Sequence, residues 1–241
     1  MPSGETAGNE SRLTITPSTL MRWAGFSALV AGICYVLVGA FHPANVPSSV
    51  TTTRWEIVHI IACAMCFFGL LGMAGLYARQ APKTGWLGLV GYLLLSLWFV
   101  VIMGFSFVEA FILPHVATAS PALVQAWMGM FNGPAGEFNL GALPTIWTLT
   151  APVYILGGLL FGIATFRAGI LPRWAGALLA VSTVSAPVAV LLPNASQPKT
   201  AIPMGLALAW LGYALWSEKR VERGLARNLG VVEDKLVPVP K

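Results

Sequence analysis

Six apolar runs, nearly all long enough to cross a lipid bilayer, leave this chain few ways to fold. A hydrocarbon core about 30 Å thick takes about 20 helical residues. Runs of that order extend from Trp23 to Phe41, Trp55 to Tyr77, Trp86 to Leu113, Thr145 to Phe166 and Trp174 to Leu192, with a shorter one from Ala201 to Trp216. The prediction is an all-α polytopic membrane bundle of six transmembrane helices. Composition agrees, because 56% hydrophobic and 10% charged residues, with a mean hydropathy of +0.75, exclude an ordinary soluble domain.

Charge placement sets the expected orientation. Every Lys and Arg except Arg54 and Lys199 falls in the two tails or in the second and fourth connections. The positive-inside rule then puts both termini in the cytoplasm. The expected organisation is a cytoplasmic tail over 1–20, a membrane domain over 21–217 with a long extracytoplasmic loop at 114–144, and a basic cytoplasmic tail over 218–241. A cleaved signal peptide ending near Phe41 is the rival reading, but the run is long and no small-x-small cleavage pattern follows it. The net charge of +5 is explained by topology and does not point to nucleic acid. Expected partners are the bilayer itself, anionic lipids at the cytoplasmic face, and a second copy or other subunits of a membrane complex. Ser217 to Asn228 reads as an amphipathic continuation of the last helix, with Arg220, Arg223 and Arg227 near the inner surface.

Three helix entries share a basic residue, a Trp and small residues: Arg22-Trp23-Ala24-Gly25, Lys83-Thr84-Gly85-Trp86-Leu87-Gly88 and Arg173-Trp174-Ala175-Gly176. These suit interfacial anchors followed by close packing, and raise the possibility of three repeated helical hairpins. Gly25, Gly32 and Gly39 recur along one face of the first helix, a packing signal in lipid. Pro152, Pro187 and Pro203 should kink their spans. In the long loop, Ser120-Pro121 reads as a helix start and Asn132-Gly133-Pro134 as its end, so Ala122 to Phe131 is expected to form a short helix, either a lid or a passive interfacial element.

Polar groups at membrane depth are costly and therefore informative. All three histidines, His42, His59 and His115, lie at the outer ends of the first three helices, as do Glu56 and Glu109. Glu56, His59, Cys63 and Cys66 follow helical spacing and form one polar stripe. Side-chain direction predicts that His59 and Glu109 come within hydrogen-bonding reach, directly or through one water or ion, with His42 and His115 completing an outward-facing pocket. Such a set could hold a transition metal or haem, relay protons or bind an organic cation. No Cys-x-x-Cys-His, His-Glu-x-x-His, Gly-x-Ser-x-Gly or phosphate-loop motif is present, and no Asp precedes Asp234. The cofactor is therefore open, and catalytic residues are unknown. A ligand-, metal- or haem-binding module competes with a structural subunit of a larger complex. A transporter ranks third, because the midplane offers only hydroxyls, thiols and Tyr35.

The segment Gly169-Ile170-Leu171-Pro172-Arg173-Trp174-Ala175-Gly176, taken with Arg22-Trp23-Ala24-Gly25 and the His59 stripe, resembles uncharacterised bacterial six-helix integral membrane proteins that carry a Leu-Pro-Arg-Trp-x-Gly turn before the fifth helix. The resemblance implies a helical fold in a bacterial cytoplasmic membrane and supplies no activity or site residue.

Overall fold

The computed structural model describes residues 16–133 and 136–218, and the regular structure among them is entirely helical. Four helices are long and apolar enough to cross a membrane: Pro17–Phe41, Thr53–Phe111, Leu143–Ala168 and Asn194–Glu218. Their outward surfaces expose Phe67, Leu71, Leu93, Leu97, Val100 and Leu156, an apolar coat compatible with lipid as the solvent.

Helix α1 spans Pro17–Phe41 and is capped by the Thr16 hydroxyl, which accepts from the Thr19 amide. Helix α2, Thr53–Phe111, runs 59 residues but is folded at Gly85, whose φ of 52° and ψ of −145° only glycine adopts without strain. The fold is a hairpin. Tyr77 stacks on Tyr92 with ring centroids 5.0 Å apart, a Cβ on Gly69 would strike the Phe99 ring, and Trp55 bonds to the Glu109 carbonyl near the far end. Residues progressively farther before Gly85 meet residues progressively farther after it, so arms 53–84 and 86–111 are antiparallel. Where sequence predicts a polar connection of about 8 residues, the first arm stays helical to Thr84 and the turn is this one glycine.

Beyond α2 lie the short α3, Leu113–Val116, and then α4, Pro121–Asn132, close to where the Ser120-Pro121 and Asn132-Gly133 signals place a helix. Next come α5, Leu143–Ala168, and α6, Arg173–Val184, and the last helix, α7, covers residues 202–218. The fifth run departs from expectation, because its α-helix ends at Val184 and continues as 3-10 turns over Ala186–Leu191 and Asn194–Ala201. Pro187 causes this: it has no amide proton, and its ring would meet the Thr183 carbonyl in an α-helix. Ser182, Thr183 and Ser185 loosen the same turn by donating to carbonyls three or four residues back.

Neighbouring elements close into a ring. His42 of α1 meets His59 of the first α2 arm, while Gly72 of that arm abuts Ala28. Gly91 and Gly157 join the second arm to α5, and Gly162 meets Gly176 and Ala180 of α6. Ser182 of α6 contacts the Met204 sulfur, and the Gly25, Gly32 and Gly39 face of α1 receives α7. Each step is antiparallel, so all the connections sit at two ends of the bundle. At the Gly85 end Trp23, Trp86 and Trp174 are exposed, and Arg79 pairs with Glu218 at 2.8 Å. The tails, including Arg220, Arg223 and Arg227, lie outside the described residues.

Candidate functional site

The end opposite Gly85 is built differently, around buried polar groups. His59, on the first arm of α2, is 2% exposed, and Glu109, on the second, is 6% exposed. The hairpin brings them together, with His59 Nε2 3.2 Å from Glu109 Oε2. The contact expected from side-chain direction is thus present. His59 Nδ1 lies 2.7 Å from the Trp55 carbonyl one turn earlier. A carbonyl only accepts, so Nδ1 carries a proton and Nε2 faces the carboxylate. Two acceptors would repel at 3.2 Å, so one proton lies between Nε2 and Oε2 and the pair is neutral as a unit.

Two tryptophans hold this arrangement. The Trp127 indole of α4 donates to Glu109 Oε1 at 3.2 Å, and the Trp55 indole donates to the Glu109 backbone carbonyl at 2.9 Å. Trp127 also packs with Val124 and Met128 against Val50, Trp55, Phe105 and Leu113, so α4 is seated on the bundle end by an apolar face and one hydrogen bond to the buried carboxylate.

Next to the pair lies a cavity of about 200 Å3. His42, His59, Ser106 and Glu109 supply polar groups to its wall, and Tyr35, Trp98, Phe105, Phe131 and Trp147 supply aromatic ones. Tyr35 stacks on Trp98 and its hydroxyl donates to Tyr154 across the bundle at 3.5 Å. His42 caps α1 just beyond its last turn, its Nδ1 2.7 Å from the Pro43 carbonyl and its ring centroid 5.0 Å from that of His59. Burial, reinforced by the adjacent His59, pushes the His42 imidazole down to about 4. It is therefore neutral near pH 7, with Nε2 as an acceptor.

The other sequence candidates lie elsewhere. His115 is exposed on α3, because the helix breaks at Ile112 and Pro114 starts a new turn that carries it away from the cavity. Glu56 and Cys63 are half-buried outside the cavity wall, and Cys66 is buried in the bundle core. The stripe therefore splits, with only His59 reaching the cavity. Among the described residues no group of three or more His, Cys, Asp or Glu side chains is placed to hold a metal ion. The reason is visible at His59, whose two ring nitrogens are already engaged. Sequence reasoning missed Trp127 and Trp55. For Trp127 the sequence signal was the apolar face Val124, Trp127, Met128 and Phe131, whose spacing demands a docking partner without saying which.

A comparison with protein families, known proteins and solved structures finds no match.

Proposed function

We propose that this is a multipass membrane protein that binds a small, largely apolar molecule with one hydrogen-bonding end in the cavity beside His59 and Glu109. The observation that carries this reading is a buried, proton-sharing pair opening onto an aromatic-walled cavity of about 200 Å3. Pockets for small ligands combine apolar walls with a few convergent polar groups in this way. An apolar cavity of about 150 Å3 accepts a benzene ring, so a molecule of one ring and a short polar chain matches the space here. A structural role alone gives no reason to keep a costly carboxylate beside an open volume.

In the membrane reading, the two arms of α2, together with α1, α5, α6 and α7, make six crossings as three hairpins. α6 reaches the outer side through its 3-10 extension. The charge distribution supports cytoplasmic termini and an extracytoplasmic cavity under α4. In intact cells, a cysteine at Ser48 should then react with an impermeant thiol reagent and one at Val237 should not, and labelling at Val237 would reverse the orientation.

The cavity is tested by filling it. Small single-ring molecules should change the tryptophan fluorescence of the full chain, and Ile102→Trp or Val38→Phe, both at the cavity wall, should weaken the response at least tenfold. Equal binding by filled and unfilled forms, or no binding to either, would reject the reading.

A further inference from the structure

The charge inventory of the cavity narrows the ligand class. Among the described residues Glu109 is the one acid in its wall, and neither Lys nor Arg contributes to it. Two exposed cations lie on neighbouring segments outside the wall: Arg54, whose Nε donates to the Phe41 carbonyl at 2.7 Å, and Lys199, two residues before Ala201. The carboxylate is therefore balanced by a removable charge, the proton held with His59 Nε2. The other titratable groups on the elements around the pair are His42 and Tyr35 from α1, Glu56, Cys63 and Cys66 from the first arm, and Tyr154 from α5, while α4 contributes none. None of them is a fixed cation. An anionic ligand would meet Glu109 with nothing permanent to neutralise it. A cation would meet a carboxylate in a wall that also holds the aromatic rings of Trp98, Phe105, Phe131 and Trp147, surroundings that favour organic ammonium groups.

Building on the cavity reading above, we infer that the site takes a primary organic ammonium in exchange for the proton shared by His59 and Glu109. On entry the ammonium donates one N–H to Glu109 and another to His59 Nε2. The imidazolium Nε2–H bond breaks heterolytically, its proton leaves to the outer solvent, and its electron pair becomes the lone pair that accepts from the ligand. Net charge in the site rises by nothing, since one positive charge replaces another. The Nδ1–H bond to the Trp55 carbonyl persists throughout and keeps the ring in place.

The experiment is calorimetry of the purified full chain with 2-phenylethylamine and its neutral isostere 2-phenylethanol, in buffers of different protonation enthalpy, between pH 5.5 and 8. The amine stays protonated over that range, its pKa being about 10. Binding should release close to one proton per amine at the acid end, and affinity should rise with pH by up to about tenfold per unit. The alcohol should release none and show no such slope. Glu109→Gln should weaken the amine at least tenfold more than it weakens the alcohol. His59→Gln should bind the amine without proton release, which guards against misfolding of a single variant. Amine binding without proton release in the wild type would overturn the exchange. Binding of the alcohol alone would also overturn it while leaving the cavity reading intact, and failure of both molecules to bind would overturn both.

Discussion

The two ends of this bundle solve opposite problems with the same helices. Toward Gly85 the helices touch backbone to backbone: a Cβ on Gly25 would fall on the Trp216 and Gly212 backbone, and one on Gly162 on the Gly176 carbonyl. Toward α4 the spacers around the cavity are rings: Trp98, Phe105, Phe131 and Trp147. Apolar burial gives helices in lipid no mutual attraction, so close glycine contact supplies cohesion. Aromatic side chains hold backbones apart and leave the cavity open. One end is therefore the clamp and the other the site, and perturbations should sort accordingly.

The largest effect is expected at the clamp. Gly25→Leu puts a branched side chain into the Trp216 backbone and should cost about 3 kcal/mol or more, read by denaturant unfolding in bicelles. A small loss would mean that the α1–α7 contact is looser than the close approach requires. At the site, Glu109→Leu alone leaves His59 and Trp127 without their acceptor and should cost about 3 kcal/mol, whereas the double variant His59→Leu, Glu109→Leu should recover much of it. Additive losses would show that the pair is not coupled. The smallest effect belongs to Trp127→Phe, which keeps the ring and deletes the N–H to Glu109. A loss of about 1–2 kcal/mol is expected, with faster amide exchange over 121–132 and unchanged exchange in the first half of α1.

What could be read in advance follows from helical geometry. The direction of His59 and Glu109 was legible because spacing within a helix fixes which side chains share a face. His115 was misplaced for the complementary reason: beyond the break at Ile112 and Pro114 that periodicity no longer applies. The full-length fifth span was overdrawn because hydropathy does not register Pro187, which turns α-helix into 3-10 turns without lowering apolar content. Trp127 was invisible as a site residue because its partner lies 18 positions away, across a chain reversal that only tertiary packing defines.

The central claim, a proton-sharing pair on an occupiable cavity, is tested most directly by an experimental density map of the full chain in lipid nanodiscs. The account predicts His59 Nε2 and Glu109 Oε2 at about the 3.2 Å seen here, Trp127 bonded to the same carboxylate, and an open volume of about 200 Å3 bounded by Tyr35, Trp98, Phe131 and Trp147. A map with His59 and Glu109 turned to lipid on separate faces, and side chains filling the space between them, would contradict it.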